Sequence, residues 1–302
     1  MNRSVLIIIM LLCLTWLFAG EIIQVELPEA DTLELSGYSS FDFAEINESS
    51  ALVKSRQWDD VYWTLNDSGN KNRIFPISRE GKMYRAQWYS EDQGGVYIGD
   101  AVNIDWESMT TDNEGNLYIG ACGNNSNVRR DLCVYKFKDP HPLATGTTRY
   151  LQKINFYYPE QTEYPAPVDD SNYDCEAIFW AEGRLFLLTK HRSDTNTCLY
   201  TLNSMYSERE NPVTYLSTFD IQGAVTDAEC NEDGTKLAVL TYSAVWVFEG
   251  EVGNWFEGSI KWLPISARQC EGICWDDEET LLITNEQMDL FELKTADLIQ
   301  VR

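Results

Sequence analysis

Apolar and polar positions alternate along this chain in short runs that are separated by turns rich in Asp, Gly and Asn. After Glu107 comes a short apolar stretch, a turn over residues 113–116, the run "LYIGA", and then the runs "LCVYKFK" and "RYLQKINFYY". Runs of this length and alternation predict β-strands. No convincing amphipathic helix interrupts them, so the pattern predicts an all-β protein.

The same order of apolar runs and turns occurs five times. Each copy begins at a glutamate, and the copies are spaced roughly 40 to 70 residues apart. The repeated acids are Glu48, Glu107, Glu176, Glu229 and Glu271. Four antiparallel strands per copy and a period of this size are typical of a β-propeller, in which each copy forms one blade.

The spacing of the copies predicts how many blades there are and how they close. The last copy runs only from Glu271 to Arg302, which is too short for a full blade. Residues 21–47 would supply its outer strand, from "EIIQVEL" or "TLELSGY", and this closure would remove exposed strand edges. We predict one five-bladed propeller over residues 21–302, with six blades as the alternative if the long second interval or the N-terminal segment hides a further unit.

The first twenty residues differ from the rest. Residues 5–18 form an apolar run behind Arg3, shorter than the roughly 20 residues of a membrane-spanning helix, and small residues follow it. We interpret residues 1–20 as a secretory signal peptide, with an uncleaved anchor as the alternative because the cleavage site is imperfect. The sequence thus predicts a secreted or periplasmic protein that is not stably inserted in a membrane after cleavage.

The charge balance narrows the expected partners. The chain carries 48 Asp and Glu against 23 Lys and Arg, a formal net charge of −25. Nucleic acid is excluded as a partner, because binding it depends on basic groups that neutralise phosphates. An acidic chain attracts cations instead, and its charge favours a soluble monomer.

Seven of the eight cysteines follow residue 20. In an exported protein they would tend to pair, with one left over. We predict disulfides between Cys122 and Cys133 and between Cys175 and Cys198. None of the spacings is typical of a zinc site.

The repeated glutamates are expected at one end of the central channel, together with the ends of the second strands. The first two strands of a blade run antiparallel, so the start of one lies beside the end of the other. His191 follows one of these strands and would lie at the same mouth. The other predicted ligand-binding residues there are Asn66, Asp67, Asn124, Lys190, Tyr242 and Glu286.

Carboxylates gathered around a channel repel one another and raise one another's pKa. A cation such as Ca²⁺, which takes oxygen ligands from Asp, Glu and Asn, would offset that repulsion. Donors such as Lys190, Arg192 and backbone N–H groups are an alternative, and protonation of one carboxylate is another. We therefore predict all five repeated glutamates as metal ligands, and Glu107, Glu176 and His191 as catalytic candidates. The alternative is architectural, with each glutamate binding the backbone of the next blade. Three acids lie two residues before a glutamate and would point to the same face of an extended strand as that glutamate. They are Asp105, Asp174 and Asp227, and we expect them to form a solvated rim or to cap a neighbouring strand.

Several stretches, in order over roughly residues 45–290, resemble a family of secreted bacterial propeller proteins. They read "WTLNDSG", "DWESM" with "GACGNN", "DCEAI", "TDAEC" with "LTY", and "CEGI" with "TNE", where the family reads WTHNDSG, DWED with GDIGDN, DxEA, TDA with RTY, and EA with SE. The resemblance implies a secreted or periplasmic propeller, loosely linked to phytase-like or esterase-like propellers. Leu65, Ala121, Asn124 and Leu240 replace a histidine, two aspartates and an arginine of the pattern, which weakens any site built from them.

Three functions fit these observations. The first is an exported propeller whose acidic mouth binds a cation or a small ligand. The second is a metal-dependent hydrolase of a phosphoester, lactone or glycoside that uses the same mouth. The third is a structural or protein-interaction propeller. Gly-rich phosphate loops and the GxSxG and HExxH motifs are absent, and the sequence favours binding slightly over catalysis.

Overall fold

The computed structural model describes residues 21–302, so the predicted signal peptide lies outside the described residues. Within them, five sheets follow one another along the chain and form the five blades of a β-propeller. The prediction of an all-β, five-bladed fold is confirmed, and the six-bladed alternative is wrong. The described helices are short 3₁₀ turns, Val168–Asp170, Trp255–Glu257 and Thr295–Asp297. None of the helices over residues 21–302 has the length and apolar character needed to cross a membrane.

Each blade contains four antiparallel strands, which follow one another from the channel outward. Blade 1 comprises Ser49–Lys54, Tyr62–Asn66, Arg73–Ile77 and Val96–Gly99. Blade 2 comprises Ser108–Thr111, Asn116–Ala121, Cys133–Lys138 and Gln152–Tyr157. Blade 3 comprises Asp174–Ala181, Arg184–Lys190, Asn196–Leu202 and Thr214–Asp220. Blade 4 comprises Val225–Cys230, Lys236–Thr241, Ala244–Glu249 and Ser259–Ser266. Blade 5 comprises Cys270–Trp275, Thr280–Asn285, Asp289–Lys294 and Ser39–Ser40.

Short additional strands cover the outer edges of blades 1 to 4. Thr147–Arg149 pairs in parallel with the outer strand of blade 1, and Asn211–Pro212 with that of blade 2. The N-terminal Ile22–Ile23 does the same on blade 3. On blade 4 the outer strand pairs with both Leu33–Glu34 and Ile299–Gln300. These strands satisfy backbone groups that an open edge would expose.

The two ends of the chain share the last blade, as predicted. Its outer strand is Ser39–Ser40, which pairs antiparallel with Asp289 and Leu290. The assignment of that strand to "EIIQVEL" or "TLELSGY" is wrong, because the strands in those segments pair with the free outer edges of blades 3 and 4. The N-terminal segment therefore pairs with two blades before it closes the ring in blade 5.

Polar turns join the first and second strands of the blades. In blade 2 the Asp112 carboxylate accepts hydrogen bonds from the backbone N–H groups of Glu114 and Asn116, at 2.8 and 2.9 Å. Gly115 and Gly234 adopt positive φ angles of 72° and 81° in two of these turns, a conformation that strains most other residues. The Asp, Gly and Asn positions of the repeat thus fix the hairpins.

The core lies between neighbouring blades. Trp63 and Trp106 are fully buried in a cluster shared by blades 1 and 2, and Trp246 is buried in one shared by blades 3 and 4. Each such ring removes roughly 150–250 Å² from water. The blade interfaces therefore supply much of the hydrophobic stabilisation.

Neither predicted disulfide is present, and all seven cysteines among the described residues are free. Cys133 pairs across its hairpin with the residue before Cys122, and successive side chains point to opposite faces of a sheet. Cys175 and Cys198 lie on opposite sides of Thr189, in strands separated by a whole strand. At about 4.8 Å per strand, that separation exceeds the usual Cα spacing of a disulfide.

Candidate cation site at the channel mouth

A β-bulge marks the start of the inner strands and directs particular side chains into the channel mouth. In blade 2 both Glu107 and Ser108 lie opposite Gly120, since the Glu107 N–H donates to the Gly120 carbonyl at 3.1 Å and Ser108 pairs with the same residue. The pairing register shifts in the same way in the other four blades. The extra residues there are Ser50, Glu176, Thr226 and Glu271.

This register divides the five repeated glutamates. Glu107, Glu176 and Glu271 occupy the bulge and are equivalent. Glu48 lies two residues before the bulge of blade 1, and its side chain is exposed. Glu229 lies three residues beyond the bulge of blade 4, deeper along its strand. The expectation that all five acids surround one opening is therefore wrong for Glu229. Alignment of the repeated sequences did not take the position of the bulge into account.

Three carboxylates meet on one side of the mouth. The oxygens of Asp67, Asp105 and Glu107 all lie within 4.8 Å of one another. We call these three residues the acidic group. Asp67 follows the second strand of blade 1, and the other two precede the inner strand of blade 2. The group thus spans the interface between the two blades.

Local contacts hold the acidic group together. The Asn103 side-chain amide donates to the backbone carbonyl of Asp67 at 3.1 Å, which ties the loop before blade 2 to blade 1. Gly123 packs directly on the carboxylates of Asp105 and Glu107, and a Cβ there would overlap both. The absent side chain at residue 123 makes room for the two acids.

The acidic group is electrostatically unfavourable as it stands. Burial and the nearby charges of Glu176 and Asp67 raise the pKa of Glu107 well above its usual range. Burial and Asp67 also raise the pKa of Asp105, an effect that Arg129 partly opposes. Within residues 21–302 no basic side chain forms an ion pair with any of the three carboxylates. Three acidic groups therefore lie close together without an ion-pair partner.

The opposite side of the mouth is neutralised by side chains of the protein itself. Lys190 lies 3.1 Å from the Glu176 carboxylate and donates to the Tyr242 hydroxyl at 3.3 Å. That hydroxyl in turn donates to Glu271 at 2.8 Å. Burial opposes the charge of Lys190, but the attraction of Glu176 raises its pKa above the usual value. Burial raises the pKa of Glu271 to about 7.

Arg192 neutralises a further acid on this side. Its Nε donates to the Asp174 carboxylate at 3.0 Å, and the guanidinium lies 3.5 Å from Glu176. The other oxygen of Asp174 accepts a hydrogen bond from the Asn124 backbone N–H at 2.6 Å. Asp174 is thus a fully buried, fully bonded residue and does not form the solvated rim predicted for it.

The channel is closed below the mouth. Ser108 of blade 2 donates to one oxygen of Asp227 in blade 4 at 3.0 Å, and the backbone N–H of Ile273 in blade 5 donates to the other at 2.9 Å. Asp227 is therefore a buried link across the channel that bonds the inner strand of the next blade, in line with the predicted strand cap and not with a solvated rim. The mouth is therefore a depression whose base is formed by these polar groups.

Glu229 faces the other end of the channel. Its carboxylate accepts a hydrogen bond from the backbone N–H of Trp275 at 3.0 Å. It also lines a cavity of about 360 Å³ together with Lys54 and Arg56. Those two residues lie at and just beyond the far end of the blade 1 inner strand. Burial raises the pKa of Glu229 to about 8. This arrangement matches the architectural alternative, a glutamate that binds the backbone of the next blade.

Four remaining predicted site residues lie outside the acidic group. Asn66 donates to the Glu45 carbonyl at 2.6 Å, and Asn124 to the Tyr173 carbonyl at 3.1 Å, so both amides hold loops in place. Glu286 is half-buried, and burial together with Asp67 raises its pKa. His191 is buried against a neighbouring acid at 2.7 Å, and burial lowers its pKa. No contact joins His191 to the mouth glutamates among the described residues.

The sequence reasoning placed Asp105 on the strand face that carries Glu107 but favoured a rim or a capping role for it. Its carboxylate lies beside Asp67 and Glu107 instead. Arg192 was expected at the mouth as a donor to the carboxylates, and it contacts Asp174 and Glu176 there. The motif "DWE" at Asp105 was the available signal, because two acids separated by one residue can reach the same site when a bulge follows them.

The fold and the mouth define a five-bladed β-propeller with an acidic cluster at one side of its channel mouth. No protein-family model matches the chain, and no curated protein matches it, so the resemblance to the secreted family stays a prediction. Among solved structures, a chain of the mitotic checkpoint complex aligns over 100% of this chain and 74% of its own length, with 10% identity and a TM-score of 0.39. Hydrazine synthase of Kuenenia stuttgartiensis aligns over 82% of this chain and 72% of its own, with 7% identity and a TM-score of 0.44. Neither likeness bears on the site.

Proposed function

We propose that this propeller binds a divalent cation, with Ca²⁺ as the preferred ion, at the acidic group of its channel mouth. The observation that carries the proposal is the convergence of three carboxylates that form no ion pair within residues 21–302. Carboxylate oxygens are the ligands that Ca²⁺ prefers. The protein would be exported, as residues 1–20 predict, and extracellular calcium modules bind with a Kd of about 10⁻⁴ to 10⁻³ M.

The spacing of the oxygens supports this ion. Calcium ligands lie at about 2.3–2.6 Å from the ion, so two oxygens on opposite sides of it are about 4.8 Å apart. The oxygens of Asp67, Asp105 and Glu107 all fall within 4.8 Å of one another. One ion can therefore contact all three, and water would complete the usual six to eight ligands.

The electrostatics support the same conclusion. A bound cation would replace the proton that burial and neighbouring acids favour on Glu107. On the other side of the mouth, Lys190 neutralises Glu176 and Arg192 neutralises Asp174. The cation would complete the neutralisation of the mouth.

Isothermal titration of the purified full chain with CaCl₂, after treatment with EDTA, tests the proposal. We expect one site per chain, and the double variant Asp105→Asn, Glu107→Gln should lower the affinity at least about 100-fold, which is about 2.7 kcal/mol. The substitutions keep the size of the side chains and remove two of the three charges.

Glu229→Gln is the matched control, because that glutamate was predicted as a ligand but faces the other end of the channel. It should bind Ca²⁺ like the unmodified chain. Unchanged calcium binding in the double variant, or its loss in Glu229→Gln, would contradict the proposal.

A second candidate function is a metal-dependent hydrolase. Glu271 favours it, because a carboxyl with a pKa of about 7 at the same mouth can act as a general acid or base near neutral pH. A bound cation would polarise a phosphoester, lactone or glycoside beside it. Turnover of model substrates that needs both Ca²⁺ and Glu271 would support this candidate. Calcium binding without turnover would leave the binding function alone.

A further inference from the structure

Two buried thiols meet between blades 2 and 3. Cys122 directly follows the second strand of blade 2, and Cys175 lies in the inner strand of blade 3. The Cys122 Sγ is 3.5 Å from the Cys175 carbonyl oxygen, and the Cys175 Sγ is 3.7 Å from the Ala177 carbonyl. Both side chains are fully buried in the same apolar cluster.

The Cys122 thiol is in contact with Cys175. Burial raises the pKa of the Cys122 thiol, and the neighbouring Cys175 raises it further. Cys133 points to the other face of the blade 2 sheet, and the Cys198 Sγ lies 3.2 Å from the Thr218 hydroxyl. Cys175 is therefore the best-placed partner of Cys122 within residues 21–302.

We propose that Cys122 and Cys175 form a disulfide that joins blades 2 and 3 covalently. The oxidant would be a disulfide, either a small molecule such as oxidised glutathione or an oxidoreductase. One cysteine thiolate attacks the oxidant and releases one of its sulfurs as a thiol, and the second cysteine then displaces the other. The protein thiols give up two electrons and two protons, and the oxidant leaves as two thiols.

The exchange takes place while the chain folds. In the folded protein both sulfurs are shielded from an oxidant, and burial disfavours the thiolate that attacks. Once formed, the bond would close a long loop in the unfolded chain and lower its conformational entropy. The folded state would be stabilised as a result.

The link would also brace the mouth. Cys122 precedes Gly123, which packs on Asp105 and Glu107, and Cys175 precedes Glu176. A covalent bond between them would fix the backbone that carries both sides of the mouth. The proposal does not depend on cation binding, since the thiol contact exists without an ion.

Peptide mapping tests the link. The full chain is refolded with reduced and oxidised glutathione, its remaining thiols are alkylated in denaturant, and the digest is analysed by mass spectrometry with and without reductant. We expect a linked peptide pair containing Cys122 and Cys175 that disappears on reduction. The melting temperature should fall by several degrees when the refolded protein is reduced.

Two variants make the result specific. Cys133→Ser should keep the linked pair and its sensitivity to reductant, whereas Cys122→Ser should lose both. Alkylation of Cys122 and Cys175 before reduction in the refolded chain, or a link from Cys122 to Cys133, would overturn the proposal. Because the map of the unmodified chain decides the question, a variant that fails to fold does not obscure it.

Discussion

The two sides of the channel mouth use the same position of the repeat in different ways. On the side of blades 1 and 2, Glu107 lies beside Asp67 and Asp105 and has no basic partner in the described chain. On the side of blades 3 to 5, the equivalent Glu176 pairs with Lys190 at 3.1 Å. A repeated glutamate is therefore not a functional residue by virtue of its position. Its neighbours decide whether the protein or an added cation neutralises it.

The residue at the mouth end of the second strand makes the difference. Counted from the bulge, this position holds Asp67 in blade 1, Lys190 in blade 3 and Tyr242 in blade 4. Asp67 brings a further negative charge to Glu107 of the next blade, whereas Tyr242 donates a hydrogen bond to Glu271 of the next blade. The residue at this one position thus distinguishes the two sides of the mouth. On one side the carboxylates have no ion-pair partner, and on the other side the protein's own side chains neutralise them.

Removal of Lys190 is expected to have the largest effect on stability. Lys190→Met leaves Glu176 as a buried carboxylate with only Arg192 nearby, and breaking a buried pair in this way costs about 4 kcal/mol. Urea denaturation at pH 8 measures the loss. It should shrink as the pH falls, because burial raises the pKa of Glu176 well above its usual range, and in the double variant Lys190→Met, Glu176→Gln. Equal losses in the single and double variants would show that the pair does not distinguish the two sides.

The opposite end of the channel provides the next contrast. Glu229 has a pKa raised to about 8 from 4.5, so its contribution to stability is fully present below pH 4.5 and is lost as the pH rises through 8. We expect about 3 kcal/mol of this loss between pH 5 and pH 8. Denaturation of Glu229→Gln in EDTA across that range should show a correspondingly flatter curve. An unchanged curve would mean that Glu229 is ionised in the folded protein.

Calcium affinity should depend on pH on the acidic side. The raised pKa of Glu107 means that a proton must leave before the ion binds. Affinity should therefore rise with pH, by up to about tenfold per unit while one proton is displaced. Titrations in buffers of different ionisation enthalpy would report the released proton directly. A flat profile between pH 5 and 8 would show that the acidic group is already ionised.

Tyr242→Phe should have the smallest effect. It removes the hydroxyl that donates to Glu271 at 2.8 Å, which should cost about 1 kcal/mol. The pKa of Glu271 should rise, because that hydrogen bond lowers it in the present structure. Calcium affinity should not change, since Tyr242 is not part of the acidic group. A large loss of calcium affinity would mean that the two sides act as one site.

The fold could be predicted because its signals are local and repeated. Apolar runs, the turns around Gly115 and Gly234, and the short last copy together indicated five blades closed by both ends of the chain. The pairing of residues 22–40 could not be predicted, because several outer edges can accept such short strands. The predicted disulfides were wrong because a cysteine's position in the sequence does not show which face of the sheet its side chain occupies. Cys122 and Cys133, for example, are close in sequence but point to opposite faces.

The site was predictable only in part. Antiparallel pairing placed Asp67, Lys190 and Tyr242 at the mouth together with the bulge glutamates, as expected. The bulge has no clear signature in the amino-acid sequence. Glu229 was therefore aligned with Glu107, although it lies three residues beyond the bulge along its strand. One inserted residue changes which side chains reach an opening, and only the pairing register shows it.

The most direct measurement is a crystal structure of the protein grown with Ca²⁺, in which anomalous scattering locates the ion. The account predicts an ion at the mouth within about 2.6 Å of carboxylate oxygens from Asp67, Asp105 and Glu107. A mouth without a bound ion at millimolar Ca²⁺, or an ion held only at the Glu229 end of the channel, would contradict it.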